Sequence, residues 1–388
     1  MTPAPRTLFL APRFPPDLGG VSRSAGRIAS ALRAHAPLDV LSWTRSLAPG
    51  ALEEREHAHG RDLRLGLFKA EDLSLQHTAN LIEELHDERE YGLLWGHYLS
   101  PAGFLAVWMG RLLGLPAVVG ARGNDVDRMA FPPGDFARLT WTLEHAERVL
   151  CVSEDLARKV RALVGERASV GVTPNSVDGE LFRPREPDPA LRDALGLRPE
   201  ERVLGFSGEL RHKKGLAHLL DAYLEVRAAR PACLLIIGEV RPRELEQLAR
   251  LGAQDPEARA RVLITGHLED PAAVAAHLAL VDLFLLPSLW EGMPNALLEA
   301  MAMERVVLCS DAGGIPEVVR DREEGFVVRR AELHRLGEAA LELCNLSEAE
   351  RARYGRAARR GVLERHSPAS ERARMAALLE ELHSPSSA

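Results

Sequence analysis

At 388 residues the chain is longer than one hydrophobic core usually serves, and a typical size of about 150 residues per domain predicts two or three domains. Hydrophobic residues make up 46% and charged residues 27%, an ordinary globular composition that excludes a disordered chain. The 49 basic and 56 acidic side chains give a net charge of -7, without the basic excess that nucleic-acid binding uses. We therefore predict a folded protein that does not bind nucleic acid.

The sequence carries no targeting or membrane signal. No run reaches the roughly 18 apolar residues of a membrane span, and Met1 to Leu10 lacks the apolar stretch of a signal peptide. The predicted helix from Leu73 to Glu90 is acidic, the opposite of a basic membrane-binding face. Four cysteines without a CxxC pair fit buried, reduced thiols. These features predict a cytoplasmic protein, at most loosely associated with a membrane.

Short apolar runs alternate with longer amphipathic segments, a pattern typical of a parallel sheet with crossover helices. The strands predicted in the first half are Thr7–Leu10, Leu38–Trp43, Leu93–His97, Ala117–Gly120, Val149–Val152 and Ser169–Thr173. Those predicted in the second half are Val203–Phe206, Cys233–Ile237, Val262–Thr265, Leu283–Leu286, Val306–Cys309 and Phe326–Val328. Six strands in each half predict two doubly wound α/β domains.

A stretch rich in proline and charge, FRPREPDPALRDALGLRP, interrupts this alternation. We predict a first domain over 1–181, a linker over 182–200 and a second domain over 201–365. The segment 366–388 is predicted as a helix that packs back on the first domain and ends in a frayed tail. Because such sheets bind ligands at the carboxyl ends of their strands, a cleft between the domains is the expected site.

The most informative stretch is PSLWEGMPNALLEAMA, residues 287–302, which leaves a strand and enters a helix near Pro294. Glu291 precedes this helix and Glu299 lies inside it. Backbone N–H groups around Gly292, Met293 and Asn295, at the positive helix end, could bind a diphosphate. Taken singly, Glu291 is better explained as a solvated loop acid and Glu299 as a helix-surface acid.

Together the two glutamates resemble the Glu-x7-Glu signature of retaining family-4 glycosyltransferases, and similar segments recur along nearly the whole chain. FPPDLGG matches the family's glycine pair with Gly19 and Gly20, which would let the backbone approach a phosphate. SEDLARKV, TPNSVDGELFRP and SDAGGIPEVVRDREEGFVV resemble further family segments, with Ser176 in place of a usual glycine. The resemblance implies the GT-B architecture, two Rossmann-like domains facing a central cleft, and a nucleotide diphosphate sugar donor.

The segment GFSGELRHKKGLAHLLDA resembles the family's phosphate-clamping sequence G-R-x4-K-G. Lys214 matches its lysine, which the resemblance assigns to the donor diphosphate. Glu209 occupies the usual arginine position, so Arg211 or Lys213 is the candidate replacement cation. A solvated loop charge is the alternative for Arg211.

GHYLSPAG ends a predicted strand at His97, which the resemblance directs at the donor sugar or acceptor, although a hydrogen-bonded core histidine is the alternative. ARGNDVDR resembles the family's R-G-S-D-V loop and makes Arg122 and Asp125 acceptor-side candidates. Asp125 and Asp127 also form a DxD metal-binding pattern, but in the wrong domain for the donor phosphate of this architecture. His57 and His59 are assigned to a charged loop. We predict no metal and no cofactor.

The resemblance implies transfer of a sugar to a hydroxyl acceptor with retention, by a front-face path in which the leaving diphosphate helps accept the proton. Lys214 would hold phosphate, Glu299 the ribose hydroxyls and Glu291 the sugar. The alternatives are a sugar-nucleotide epimerase or a phosphorylase of the same architecture, and a non-catalytic module that binds nucleotide sugars. The sequence does not identify the sugar, the base or the acceptor.

Overall fold

The computed structural model describes residues 5–17, 19–123, 125–165 and 169–383. The chain forms two compact units: unit 1 comprises Met1–Asn175 with Glu371–Ala388, and unit 2 comprises Ser176–Ser370. The first division falls between Asn175 and Ser176, before the predicted boundary at residue 181, and the second falls after the predicted boundary at residue 366. The predicted frayed tail, 384–388, lies outside the described residues.

Unit 1 contains a sheet in the strand order β3-β4-β2-β1-β5-β6-β7-β8, parallel throughout except for the β3-β4 pair. Its strands are β1 (Thr7–Ala11), β2 (Leu38–Thr44), β3 (Leu52–His57), β4 (Gly60–Gly66), β5 (Leu93–His97), β6 (Ala117–Ala121), β7 (Arg148–Cys151) and β8 (Val170–Val172). All six strands predicted in this half are confirmed. The count of six is wrong, because β3 and β4 add a hairpin.

The hairpin corrects the assignment of His57 to a loop, because His57 ends β3 and pairs with Gly60. Its Nε2 lies 2.7 Å from the Asp62 carboxylate. β3 is an exposed edge strand with the polar sequence LEEREH, so it has no buried face and no apolar alternation to reveal it. His59 lies in the turn that follows.

Helices cover this sheet in the order expected for crossover connections. They are α1 (Gly20–Arg33), α2 (Glu71–Arg89), α3 (Phe104–Leu113), α4 (Asp125–Met129), α5 (Pro133–His145) and α6 (Glu154–Val164). The Ser153 hydroxyl accepts the backbone N–H of Leu156 and so caps α6. A π-helical turn, Leu99–Gly103, joins β5 to α3.

Unit 2 contains a fully parallel sheet in the order β11-β10-β9-β12-β13-β14. Its strands are β9 (Arg202–Ser207), β10 (Ala232–Ile237), β11 (Val262–Ile264), β12 (Leu283–Leu286), β13 (Val306–Ser310) and β14 (Phe326–Val328). All six predicted strands are confirmed. Most of these strands are buried apolar runs, as expected where helices cover both faces.

The helices of unit 2 begin inside the predicted linker. They are α7 (Pro189–Ala194), α8 (Leu216–Ala229), α9 (Pro242–Gln254), α10 (Pro256–Ala260), α11 (Pro271–Ala279), α12 (Asn295–Ala302), α13 (Ile315–Val318), α14 (Leu336–Cys344) and α15 (Glu348–Arg365). Residues 182–200 therefore belong to unit 2: Asp188 caps α7, and the Arg359 guanidinium donates to the Gly179 and Phe182 carbonyls. A segment rich in proline and charged residues can therefore still be held against a folded unit by hydrogen bonds.

The C-terminal helix α16 (Pro368–His383) contributes to the core of unit 1. Met375, Leu378 and Leu379 are buried in one apolar cluster with Phe9 and Trp95. Arg148 of β7 also donates to Glu381 at 2.8 Å. The chain therefore returns to its first unit through both apolar and ionic contacts.

Two further features bear on the sequence predictions. The cysteines Cys151, Cys233, Cys309 and Cys344 are all buried and free, as predicted. Among the described residues, no helix is long and apolar enough to cross a membrane.

Candidate functional site

Three loops at the carboxyl ends of β9, β12 and β13 are locked together in unit 2. The Lys213 carbonyl accepts the Leu289 N–H at 2.8 Å, and the Gly292 carbonyl accepts the Gly314 N–H at 2.9 Å. A Cβ on Gly215 would lie 1.9 Å from the Pro287 carbonyl oxygen. A Cβ on Gly313 would come equally close, 1.9 Å, to that of Glu291. Glycine is required at both positions because the backbones touch there.

This packing brings Lys214 and Glu291 into one buried ion pair. Lys214 Nζ donates to Glu291 Oε1 at 2.5 Å, and the Ser288 hydroxyl donates to the same oxygen at 2.8 Å. The exposed fractions of the two side chains are 16% and 6%. Burial alone would raise the pKa of Glu291, but Lys214 and Lys213 outweigh it and hold the pKa below its usual value. Glu291 is therefore an anion here rather than a solvated loop acid.

Lys213 gives this site a second cationic group. Burial, with help from the Lys214 and Arg211 charges, lowers its pKa to about 8, against an opposing effect of Glu291. Near neutral pH most of the Lys213 population remains protonated. The site thus presents two lysine charges against one carboxylate.

Glu209, which occupies the usual arginine position, forms an acid bridge between two arginines. Its carboxylate accepts from Arg241 Nε and lies 2.9 Å from Arg211 Nη2. Burial would raise the pKa of Glu209, but the hydrogen bond from Arg241 and the charge of Arg211 lower it. We call Glu209, Arg211 and Arg241 the Glu209 triad. Arg211 is therefore a paired cation rather than a solvated loop charge.

A cavity of about 570 Å³ adjoins this triad at the carboxyl ends of β9, β10 and β11. Its lining includes Glu209 and Arg241 of the triad together with Val240, Leu245 and Ile264. Charged and apolar groups therefore meet in one open recess. Such a recess suits a ligand that is flat and apolar on one part and charged on another.

The start of α12 carries the remaining predicted donor residues. Pro294 precedes the first helical residue, Asn295, so it takes the N-cap position rather than the first helical turn. The Asn295 Oδ1 atom is buried without a hydrogen-bond partner among the described residues. Gly292 and Met293 are buried just before the helix, and Glu299, 7% exposed, lies inside it. A helix-surface position for Glu299 is therefore wrong.

In unit 1, His97 ends β5 and is fully buried. The Ser24 hydroxyl donates to the Val21 carbonyl at 3.0 Å and lies 2.8 Å from His97 Nε2. Since that hydroxyl proton is already used, we assign the imidazole proton to Nε2. His97 Nδ1 is buried without a partner among the described residues. Burial, with the Arg122 and Arg27 charges, holds the pKa of His97 well below its usual value, so the ring is neutral.

Two guanidinium groups meet beside this histidine. Arg27 Nη2 and Arg122 Nη2 donate to the same atom, Asn175 Oδ1, at 2.9 and 2.5 Å. Arg27 Nε also donates to the Glu371 carboxylate of α16 at 2.7 Å. Two like charges that share one acceptor atom repel each other. Burial and the Arg27 charge lower the pKa of Arg122 to about 10.

Gly19 and Gly20 border open space at the start of α1. Gly19 has φ of 112°, which favours glycine, and a Cβ added to either residue would meet no atom of the described residues within 4 Å, its chain neighbours aside. Their backbone is thus unobstructed. These glycines and His97 belong to unit 1, whereas Lys214, Arg211, Glu291 and the α12 residues belong to unit 2.

The two aspartates of the DxD pattern hold structural positions. The Asp125 carboxylate accepts backbone N–H groups of Arg122, Gly123 and Val126. Lys159 lies 3.1 Å from the Asp127 carboxylate. In the part of the chain that the structure describes, no group of three His, Cys, Asp or Glu side chains could hold a metal ion. Asn124, which precedes Asp125 in this loop, lies outside the described residues.

Sequence reasoning missed Arg27, Asn175, Glu371 and Arg241. Arg27 follows Ser24 by three residues on α1 and so shares a helix face with it, but only the structure shows that Ser24 contacts His97. Arg241 follows the strand end of β10 in the same way that Arg211 follows β9. Glu371 carried no signal in the sequence, since it contacts Arg27 across 344 residues of sequence.

Two family models together match most of the chain. The model described as glycosyl transferases group 1 matches residues 201–345, and that described as a glycosyl transferase 4-like domain matches residues 19–176. The first match lies within unit 2 and includes Glu209, Lys214, Glu291 and Glu299. The second starts at Gly19 and includes His97 and Arg122.

Curated relatives match over nearly the full length. The chain is 27% identical to the alpha-maltose-1-phosphate synthase of Mycolicibacterium smegmatis, covering 93% of this chain and 95% of the relative. It is also 27% identical to a GDP-mannose-dependent monoacylated alpha-(1-6)-phosphatidylinositol monomannoside mannosyltransferase of Corynebacterium glutamicum, covering 93% and 94%.

Solved structures establish the fold. Sucrose-phosphate synthase from Thermosynechococcus elongatus superposes with a TM-score of 0.81 at 20% identity, covering 98% of this chain and 100% of that one. HepE from Anabaena, in complex with UDP-glucose, gives 0.77 at 18% identity, covering 97% and 100%. With two mainly parallel sheets flanked by helices, these likenesses identify the GT-B fold. The chain belongs to the group 1, family-4 glycosyltransferases and is a glycosyltransferase enzyme.

Proposed function

We propose that this glycosyltransferase takes its sugar from a nucleotide diphosphate donor bound by unit 2 and transfers it to a hydroxyl group with retention of anomeric configuration. The buried Lys214–Glu291 pair carries this proposal, because it fixes a cation and an anion beside a helix N-terminus at the carboxyl edge of a parallel sheet. Two similar proteins use or bind such donors: the Corynebacterium glutamicum relative is a GDP-mannose-dependent mannosyltransferase, and HepE was solved with UDP-glucose.

The donor residues divide by the part of the donor that each would bind. Lys214, with Lys213, would hold the diphosphate, whose charge grows as it leaves, and the N–H groups of Gly292 to Asn295 would add to it. Arg211 would join them once released from Glu209. Glu299 would accept ribose hydroxyls, and Glu291 would orient the sugar. The cavity beside the Glu209 triad would take the base.

Retention requires the acceptor oxygen to approach from the side of the departing diphosphate. The bond between the anomeric carbon and the diphosphate oxygen breaks, and the acceptor oxygen bonds to that carbon. Its proton goes to the leaving diphosphate. A base on the opposite face would give inversion instead. His97 is a poor candidate for that base, because its depressed pKa makes the neutral ring a weak proton acceptor.

The first experiment identifies the donor and the stereochemistry together. Nucleotide sugars are screened by mass spectrometry with a mixed hydroxyl acceptor set, and the active α-linked donor is then followed by proton NMR. We expect an α-glycoside in the earliest product. A β-glycoside would overturn retention, and the absence of any turned-over nucleotide sugar would overturn the donor assignment.

We also propose that transfer needs no divalent metal. The diphosphate charge would be balanced by Lys214, Lys213 and the start of α12, while Asp125 and Asp127 are occupied by backbone N–H groups and by Lys159. EDTA should leave initial rates within about twofold of the untreated enzyme. Complete loss of turnover with EDTA, restored by Mn²⁺ or Mg²⁺, would contradict the proposal.

A further inference from the structure

Unit 1 contains a buried basic cluster to which the donor chemistry assigns no task. It consists of Arg27, Arg122, Asn175 and Glu371, and we call it the Arg27–Arg122 cluster. Both guanidinium groups converge on the amide oxygen of Asn175, and Glu371 binds Arg27. A neutral oxygen therefore serves two cations at once.

The Arg122 guanidinium hydrogen-bonds to neutral groups among the described residues, although the charges of Glu371 and Asp125 act on it. It donates to neutral oxygens, Thr173 O at 3.2 Å and Asn175 Oδ1, and its Nε is buried without a partner among the described residues. The nearby Asp125 carboxylate accepts backbone N–H groups instead. A buried cation normally has a hydrogen-bonded anion, because desolvation is otherwise uncompensated. The bonding pattern therefore points to an anion that completes the cluster.

The cluster is also accessible and placed at a site. The Arg27 side chain is 24% exposed, so one side of the cluster faces solvent. His97 ends β5, while Arg122 and Asn175 follow the ends of β6 and β8, so all three lie at the carboxyl edge of the first sheet, where α/β sheets bind ligands. Tyr98 adds a strained backbone with φ of 82°, and its hydroxyl approaches Gly123, the neighbour of Arg122. Such strain in a bulky residue concentrates at functional sites.

We propose that Arg27 and Arg122 bind a phosphate monoester on the acceptor, so that this enzyme glycosylates a phosphorylated acceptor. A phosphate monoester carries about 1.5 to 2 negative charges and three acceptor oxygens, which matches two guanidinium groups better than a single carboxylate does. Its oxygens replace Asn175 Oδ1 as the common acceptor and reach Arg122 Nε. The assignment of the phosphate to an acceptor molecule rests on the proposed function. The anion site itself is inferred only from residues of unit 1.

The test measures phosphate binding directly, apart from catalysis. Inorganic phosphate is titrated into the full-length protein by calorimetry in a buffer without other multivalent anions. Arg27→Gln should weaken binding by about tenfold to a hundredfold, the range expected for a lost charge-assisted hydrogen bond. Arg148→Gln is the matched control, because Arg148 also anchors α16, through Glu381, but lies outside the Arg27–Arg122 cluster. It should leave phosphate affinity unchanged.

Glu371→Gln separates a ligand site from a structural ion network. If Arg27 and Glu371 serve only to hold α16, both substitutions lower the melting temperature and neither changes phosphate affinity beyond the Arg148→Gln control. If the cluster binds phosphate, Glu371→Gln removes a competing anion and tightens binding severalfold. The opposite signs of Arg27→Gln and Glu371→Gln support the proposal, and equal behaviour overturns it.

UDP distinguishes an acceptor phosphate from the donor diphosphate. Phosphate affinity should be the same with and without saturating UDP, whereas full competition would place the anion in the donor site and overturn the proposal. With an active donor in hand, a sugar phosphate should be glycosylated with a KM at least about tenfold below that of the unphosphorylated sugar. Phosphate binding without any donor turnover would contradict the proposed function and leave the anion site standing.

Discussion

The carboxyl edges of the two sheets differ in the partners of their cationic side chains. In unit 2, Lys214 is paired with Glu291, and Arg211 and Arg241 share Glu209. In unit 1, Arg27 and Arg122 share a neutral amide, with one carboxylate on Arg27. Cations that already have carboxylate partners must separate from those carboxylates before they bind an anionic ligand. Cations with fewer carboxylate partners attract an anionic ligand directly. The two edges therefore differ in how much an anionic ligand gains on binding.

The largest expected effect is that of Lys214→Ala. If Lys214 stabilises the charge that grows on the leaving diphosphate, its loss should lower kcat by about a hundredfold to a thousandfold. Initial rates on the identified donor measure it, with circular dichroism to confirm that Glu291, now lacking its partner, has not unfolded unit 2. Lys159→Ala is the control, since Lys159 pairs with Asp127 and Asp155 on unit 1. A Lys214→Ala rate within threefold of wild type would show that Lys214 does not stabilise the leaving diphosphate.

A smaller effect of opposite sign is expected from Glu209→Gln. Releasing Arg211 and Arg241 from their partly exposed carboxylate should tighten UDP binding by up to about fivefold, since such pairs contribute about 0.2 to 1 kcal/mol. Calorimetric titration of UDP measures this change. Glu257→Gln removes the same charge from unit 2 at an exposed pair with Arg227 and should have no effect. Weaker UDP binding in Glu209→Gln would mean that Glu209 positions Arg211 and Arg241 for UDP instead of keeping them away from it.

The buried histidine of unit 1 gives a pH-dependent effect on stability. The pKa of His97 is lower in the folded state than its ordinary value of 6.5, so below pH 6.5 the unfolded chain binds more protons and stability falls. Between pH 7.5 and 5.5 this group should cost the wild type up to about 1.4 kcal/mol, a loss that His97→Asn should lack. Urea unfolding can be followed by fluorescence, because four of the five tryptophans lie in unit 1.

Ser24→Ala provides the control for this pH effect. The bond from His97 Nε2 to Ser24 exists for both the neutral and the protonated ring, so its removal should lower stability equally at each pH. Parallel pH curves for wild type and Ser24→Ala are therefore expected, with a flatter curve for His97→Asn. Identical slopes in all three proteins would show that His97 is not held neutral.

The fold was predictable where one physical signal dominated. All twelve predicted strands exist, and most of them are short apolar runs that parallel sheets bury on both faces. The β3-β4 hairpin was missed because β3 is an exposed edge with no apolar face, and residues 182–200 were assigned to a linker because composition does not report hydrogen bonds such as those from Arg359. Local pattern therefore located buried elements and failed for elements held by distant partners.

The same distinction between local pattern and distant partners applies to the candidate functional residues. The resemblance to the family selected Lys214, Glu291, Glu299 and His97 as candidates. Spacing along the chain predicted three of them at or beyond strand ends and Glu299 inside a helix. The residues alone did not reveal that Glu291 and Lys214 form a pair, that Glu209 binds two arginines, or that His97 is a neutral Nε2–H tautomer. Those states depend on burial and on partners such as Glu371, which reaches Arg27 across 344 residues. Sequence spacing determines which groups reach the edge of a sheet, while charge and protonation are decided only when folding removes water and brings distant groups into contact.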